Sequence, residues 1–304
     1  MNSPISSQDK QVLHTVRFGR AYFIKQFVER FARRHQNKVA HELISAQNPQ
    51  VAIFAFDHIG IQINLRGVYE REELTSTLDW LSKSKLIRGC ALDIGANIGN
   101  HSLFFARYYE QVLSFEPNPR TYKLLEYNAS LANNIRSFCL GLSDHDGKAT
   151  LNTDPANIGA SSLTERPGQQ STLHQEIELK TLDSIDAIQA LTIGLIKIDV
   201  EGHELEVLEG GKELIKRARP LILFEQHPMD FENGISPVIE RLRAMGYEKF
   251  VTVLPSPYIP TSVPSLIRAP LTTFLRLLFG LSYKVRQQEK PSQGFYAFII
   301  AIPS

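Results

Sequence analysis

An acid, two glycines and a second acid stand at a spacing that suits a nucleoside. Asp93 precedes Gly95 and Gly99 in an Asp-x-Gly-x-x-x-Gly run, and Glu116 follows at about the distance of a ribose-binding acid. Glycines let a backbone approach a ligand where a Cβ would collide. A helix start beyond them offers free N–H groups, and an acid closing the next strand can accept two hydrogen bonds from a ribose diol. A second cluster lies further along, with Asp199, Glu201 and His203 followed by Glu225, Gln226 and His227. Such groups suit removal of a proton from an attacking alcohol. Asp199, Glu201, Glu225 and His227 also suit a divalent metal that would lower the alcohol pKa, although no resident metal is expected.

The elements that must position these residues follow from the apolar pattern. Residues 90–94 read as a buried parallel strand with Asp93 near its carboxyl end. Gly95 and Gly99 bracket a turn into a helix carrying apolar residues over 102–109, and 112–115 form a second strand ending at Glu116. This is half of a nucleotide-binding βαβ unit. A dinucleotide fingerprint needs a glycine at position 97, where Asn97 stands, so a nicotinamide dehydrogenase is disfavoured.

The pattern continues with a helix over 121–131 (Tyr122, Leu125 and Ala129 inward) and a third strand over 135–142 that closes on Ser143 and Asp144. A side chain there either accepts from an adenine amine or makes an Asx turn toward Gly147. Short strands over 148–152 and 176–182 flank a long loop with Gly159-Ala-Ser-Ser and Pro167-Gly168, placed to cover a cofactor or wall an acceptor. Ser161 and Ser162 either bond that cofactor or cap turns. A fourth strand over 194–200, a helix over 204–215 and a fifth strand over 221–224 bring the acid and histidine groups to adjacent strand ends, where open α/β sheets bind ligands. A helix over 233–245, a sixth strand over 249–254 and a final strand over 295–302 complete the pattern.

The glycine run resembles motif I of the S-adenosylmethionine (SAM) dependent methyltransferases. More of the chain resembles the FkbM-type methyltransferases, through Leu92-Asp-Ile-Gly-Ala-Asn-Ile-Gly-Asn-His-Ser, Phe115-Glu-Pro-Asn-Pro, Gly141-Leu-Ser-Asp, Thr181-Leu-Asp-Ser-Ile and Ile196-Lys-Ile-Asp-Val-Glu-Gly-His-Glu. The last stretch is the most specific, and the resemblance spans residues 50–250 and the closing strand. It implies a doubly wound, seven-stranded, mostly parallel Rossmann-like sheet with an antiparallel last strand, plus an N-terminal helical and hairpin extension. It also implies SAM as cofactor and O-methyl transfer to a sugar, glycan or secondary metabolite. The cofactor-binding set is then Asp93, Gly95, Asn97, Gly99, Asn100, Glu116, Ser143 and Asp144, with Asp93 near the methionine amino group. Asp199, Glu201, His203 and His227 are the catalytic candidates, and the sequence does not rank the two histidines. An N-methyltransferase, or a non-catalytic nucleoside-binding module that recruits a partner, are the alternatives.

At 304 residues, 43% hydrophobic and 21% charged, the chain can hold one large α/β domain with appendages. A net charge of +1 gives no case for a nucleic-acid partner. Cys90 and Cys139 lie in apolar strand-like runs and read as buried free thiols. No secretory signal, repeat or bilayer-spanning run is found, so the expected location is cytoplasmic, with peripheral membrane contact left open. Residues 1–48 form a basic amphipathic extension, helical over 11–46, with Val12, Val16, Phe23, Phe27 and Phe31 on one face. Its bases Arg17, Arg20, Lys25, Arg30, Arg33, Arg34 and Lys38 suit an anionic membrane surface. Packing of the aromatic stripe as core is the favoured reading.

Residues 49–304 form the methyltransferase domain. In it 51–56 and 59–65 read as a hairpin around Asp57-His58, and 70–85 as a helix with Leu74, Leu78 and Leu81 inward. Tyr69 and Glu70 either face the pocket or take surface or packing roles, and the latter is the favoured reading. The inserted segment 255–293 carries Pro255, Pro257, Pro260 and Pro264, then an apolar, basic stretch over 266–285. Its charges argue against a membrane span and suit an acceptor lid or a membrane-surface helix.

Overall fold

The computed structural model describes residue 16 and residues 19–154, 157–162, 173–257, 259 and 263–304. The chain divides into two compact units, Met1–Asn48 and Pro49–Ser304. The first contains helix α1 (Arg20–Ser45), preceded by Gly19. Residues 11–15, 17 and 18 of the expected helix lie outside the described residues. Within its own unit α1 buries none of its residues.

The second unit opens with an extended segment and two helices, α2 (His58–Arg66) and α3 (Arg71–Lys83). The expected hairpin over 51–65 is not formed. Asp57 caps α2 by accepting the Ile59 N–H at 3.1 Å, and Gly67, with φ 81°, closes it by donating to the Ile63 carbonyl. The buried positions are Gly60 and Ile63, a helical interval, while Ile61 and Leu65 are exposed. The alternating isoleucines imitated a strand, but an N-cap acid and an αL glycine framing nine residues decide for a helix. Residues before Asp57 are held by the Asn128 side chain, which accepts from the Ala52 N–H (2.7 Å) and donates to the Ala52 and Ile98 carbonyls (2.9 and 2.7 Å).

The Rossmann-like half follows as β1 (Cys90–Ile94), α4 (Asn100–Phe105), β2 (Gln111–Phe115), α5 (Pro119–Ala129) and β3 (Ile135–Phe138). The expected strand over 135–142 divides after Phe138. Its last part, β4 (Gly141–Leu142), joins β5 (Gly147–Asp154), β6 (Asn157–Ser162) and β7 (Leu173–Lys180) in a separate sheet of order β4-β7-β5-β6. Cys139 falls at this break and is exposed, unlike buried Cys90. Leu151, Ile177 and Leu179 make the small core of the second sheet. The Ser161 and Ser162 side chains and Pro167-Gly168 lie outside the described residues.

A short helix α6 (Asp186–Gln189) leads to β8 (Ile193–Ile198), α7 (Glu204–Gly210), α8 (Lys212–Ala218), β9 (Leu221–Gln226), α9 (Pro237–Ala244) and β10 (Tyr247–Ser256). The single helix expected over 204–215 breaks at Gly210 and Gly211. A Cβ on Gly210 would stand 1.9 Å from the Ser143 carbonyl oxygen, so α7 ends where it touches that backbone. The helix expected from 233 starts only at Pro237, because Asn233 and Gly234 adopt left-handed turn angles and Ser236 supplies the N-cap. Then come α10 (Ser265–Phe279), β11 (Ser282–Gln288) and β12 (Tyr296–Pro303).

The main sheet has eight strands, not seven, in the order β11-β10-β12-β9-β8-β1-β2-β3. The added strand is β11, which pairs antiparallel with β10 through Val253↔Val285 and lies in what read as a continuous apolar, basic stretch. β12 is antiparallel and sits between β9 and β10. The five strands β3, β2, β1, β8 and β9 are parallel to one another, and the fully buried β1 and β8 read as continuous apolar runs. Alternation splits the core. Leu92, Ile94, Ile196 and Phe224 pack on α7, α8 and α9, while Ala91, Val112, Leu195 and Leu223 pack on Leu74, Leu78 and Leu81 of α3 and on Phe104 and Phe105 of α4.

Candidate functional site

At the carboxyl ends of β1, β2, β8 and β9 lies a cavity of about 210 Å³. One end is built by the turn after β1. The Gly95 and Ala96 N–H groups both donate to the Phe115 carbonyl (3.0 and 2.9 Å), and the Asn97 N–H donates to Glu116 Oε2 (3.0 Å). Three successive N–H groups of the turn are thus taken within the protein, which leaves them unavailable to a pyrophosphate. Gly95 has φ 73°, and a Cβ there would stand 1.8 Å from the Asp199 carbonyl oxygen, so only glycine carries the chain across the end of β8.

Glu116 is 7% exposed and faces the cavity. Its Oε1 accepts the Asn118 N–H at 2.9 Å, so each carboxylate oxygen has one backbone donor and keeps a lone pair for a further one. Burial pushes its carboxyl up to about 7, against the downward pull of those two N–H groups. Phe115, Pro117, Leu140, Leu142 and Leu151 supply an apolar wall beside it. A diol-accepting acid next to an apolar slot fits an adenosine.

Below the turn, Asp93 and Lys197 face each other across the β1–β8 register. Lys197 Nζ donates to the Gly95 carbonyl (2.9 Å) and lies 3.2 Å from both Asp93 Oδ1 and Asp199 Oδ2. The ammonium thus combines a hydrogen bond to a backbone carbonyl with two ion pairs. Burial opposes charge on Lys197, but Asp199 and Asp93 outweigh it and hold the ammonium pKa above its ordinary value. Asp93 Oδ2 accepts from Ser102 Oγ, which in turn accepts from Ser114 Oγ. Asp93 is fully buried and off the cavity wall, where it pairs with Lys197.

The other end carries Tyr69, His58, His101, Asp199, Glu201, His203 and Glu225. Burial favours the neutral form of Asp199, yet Lys197 and then His101 hold its carboxyl below the ordinary value. For Glu225, burial reinforced by the Asp199 charge pushes the carboxyl up to about 7, against the pull of His227. That is the range in which a carboxylate works as a base near neutrality.

The two histidines are now separable. His203 has Nε2 2.9 Å from Ser143 Oγ and Nδ1 3.5 Å from Glu206 Oε2, so both ring nitrogens are engaged. The connectivity is that of a hydrolytic Ser-His-acid triad, but Ser143 is fully buried and off the cavity wall. Burial also lowers the His203 pKa. His227 lies behind Glu225, off the wall, with Nε2 3.4 Å from Glu225 Oε1 and its ring accepting the Asp230 N–H.

Of the expected cofactor residues, Gly95, Asn97, Asn100 and Glu116 line the cavity, while Asp93, Gly99, Ser143 and Asp144 do not. Gly99 is the N-cap of α4, and Asp144 pairs with His145 at the surface. Asn100 directs its amide to Tyr69, accepting its N–H (2.9 Å) and donating to its carbonyl (3.0 Å). This brings Tyr69 to the cavity, contrary to the surface or packing role favoured from sequence, and burial raises its hydroxyl pKa. Glu70 bonds His101 at 3.1 Å. Among the described residues no three His, Cys, Asp or Glu side chains converge as a cation cage, so Asp199, Glu201, Glu225 and His227 do not form one. Lys197 was missed, although a lysine inside an apolar strand, two residues before an acid, is the signal of a buried charge pair.

The FkbM methyltransferase domain model matches residues 93–249, which carry both ends of this cavity. The chain belongs to the FkbM methyltransferase family. It is 32% identical over 187 residues to the methyltransferase sdnD of Sordaria araneosa, covering 50% of this chain and 70% of that protein. Hexuronic acid methyltransferase AglP of Haloferax volcanii is 30% identical over 122 residues, covering 39% and 48% of the respective chains. The 2-O-methyltransferase NoeI of Sinorhizobium fredii is 28% identical over 163 residues, covering 48% and 67%. As an FkbM-family enzyme the protein is a methyltransferase of the SAM-dependent kind.

Proposed function

We propose that this FkbM-family enzyme methylates a hydroxyl of a small molecule or glycan, with Glu225 receiving the hydroxyl proton. The observation that carries this reading is a single cavity with a diol-accepting carboxylate, Glu116, at one end and a second carboxylate, Glu225, raised to about 7, at the other. The names of relatives that act on a hexuronic acid, or at a 2-O position, support a sugar hydroxyl as acceptor.

Bound SAM would supply an activated methyl on a sulfonium. Glu116 would hold its ribose, and the Leu140–Leu142 wall its base. Asp199, charged and fixed by Lys197, is the cavity acid placed to meet a cationic amine, the role the sequence reading gave to Asp93. Glu225 would receive the proton that the acceptor hydroxyl loses as its oxygen takes up the methyl. His227 holds Glu225 in place from behind. Alignment of the two reacting centres supplies most of the rate.

Calorimetry with S-adenosylhomocysteine, followed by assays of hydroxylated sugars with SAM, tests the reading. Saturable binding that Glu116→Ala weakens, with product formation that Glu225→Gln removes, is the expected result. Folded protein that does not bind the nucleoside would overturn it.

A further inference from the structure

Helix α10 is amphipathic, but it is turned inside out. Projected down the axis, Leu266, Ile267, Leu271, Phe274, Leu277 and Leu278 share one arc, and Arg268, Thr272 and Arg276 share the other. A helix that packs on its own domain turns its apolar arc inward. Here Leu266 is 89% exposed and Leu277 80%, and Phe274 is also exposed. Among the described side chains of the helix, the half-buried ones are Arg268, Thr272 and Leu275, so the arginine-bearing edge faces the protein.

Topology fixes where this apolar face emerges. β10 is antiparallel to β12, and β12 is antiparallel to β9, so β9 and β10 run the same way and end at the same sheet edge. α10 leaves that edge after Ser256 and returns to it at Ser282, the residue paired with Ser256. Glu225, the penultimate residue of β9, stands toward the same edge, two strands away from β10. At 15 residues α10 is about 22 Å long, short of the roughly 30 Å hydrocarbon core of a bilayer. No described helix is long and apolar enough to cross a membrane.

Charge selects the occupant. Between positions 249 and 288 the chain carries Lys249, Arg268, Arg276, Lys284 and Arg286 and no acid. Arg276, at the margin of the polar arc, and Lys284 and Arg286 of β11 are exposed. A second copy docking through the same face would bring these bases together, which costs binding energy. An anionic lipid surface satisfies both the bases and the apolar arc.

We propose that α10 lies flat on an anionic lipid surface, with its apolar arc inserted below the headgroups. Docked this way, the edge that bears Glu225 stands at the lipid interface. The acceptor class this points to, a hydroxyl carried by a membrane-borne molecule, rests on the methyl-transfer reading above, whereas the docking itself does not.

The test is vesicle flotation of the full chain, using phosphatidylcholine vesicles with and without about 30 mol% phosphatidylserine. α1 exposes Phe23 and Phe27 as well, so the measurement is repeated in a Phe23→Glu, Phe27→Glu background. Flotation with the anionic vesicles that weakens in raised salt, and at least about tenfold weaker binding by Phe274→Glu, Leu277→Glu in both backgrounds, is expected. Affinity for S-adenosylhomocysteine without vesicles should not change, which shows that the variant is folded and separates this test from that of the methyl-transfer reading. Absence of flotation, or flotation that the α10 substitutions leave intact, would overturn the proposal. So would a dimer lost in the variant by sedimentation velocity, which assigns the face to a second copy. A changed nucleoside affinity in the absence of lipid would make α10 a lid instead.

Discussion

Glu225 stands on the cavity wall with His227 directly behind it, Oε1 3.4 Å from Nε2. The acid, not the histidine, meets the space where an acceptor would sit, and the histidine acts on it through that contact. Glu225 titrates at about 7, and its base form is the carboxylate, so kcat/KM should rise with pH through about 7 and level off above it. Glu225→Gln should lower kcat by about 10²- to 10⁴-fold and leave nucleoside affinity unchanged. A variant that keeps full turnover would remove Glu225 from the mechanism.

His227 lowers the Glu225 pKa, while Asp199 raises it. His227→Ala should therefore shift the inflection of the pH profile upward, with a larger loss of activity at acid than at alkaline pH. A uniform loss across the profile would indicate a merely structural histidine.

Glu116 makes the cofactor prediction. Loss of two hydrogen bonds to a charged group, at about 1.5–3 kcal/mol each, should weaken S-adenosylhomocysteine binding by Glu116→Ala by at least tenfold, with circular dichroism unchanged. The pH dependence has a definite sign. A ribose diol favours the carboxylate over the acid, so binding lowers a pKa that stands at about 7 in the free protein. Protons should be released on binding, and affinity should fall as pH drops through about 7. Calorimetry in two buffers of different ionisation heat reads the proton count, and a count of zero near neutrality would contradict the assignment.

Lys197 is buried against two carboxylates. Removing a single member of such a network leaves uncompensated charge and costs about 3–5 kcal/mol. Lys197→Met should lower the unfolding free energy by that order in urea titrations, and adding Asp93→Asn to it should restore part of the loss. Equal stability of Lys197→Met and the wild type would deny the network a structural role.

Sequence reached the Asp93–Glu116 unit because its signals are local: apolar runs of strand length, glycines in a turn, and an acid at a strand end. The same is true of β8 and β9, whereas the antiparallel placement of β12 followed from the family resemblance. Lys197 was illegible for a different reason, since its partners come from two strands and a turn that only the β1–β8 register brings together. The sequence shows the position of Asp93 on its strand but not that Lys197 and Ser102 engage its oxygens. α2 was misread because alternating isoleucines outweighed its caps. β11 was missed because its alternation is of half-buried and exposed residues, with no apolar face to announce a strand.

The segment between Ala52 and Tyr69 gives the cavity His58, Ile59 and Tyr69, yet it belongs to neither sheet. Its ends are fastened by two amide clasps, Asn128 on Ala52 and Asn100 on Tyr69. A strand ladder would fix the register of every residue along it, whereas two clasps fix only the end points. Between the clasps the caps of α2 and the burial of Gly60 and Ile63 hold the chain, so a substitution at His58 or Ile59 would reshape this wall without disturbing a strand.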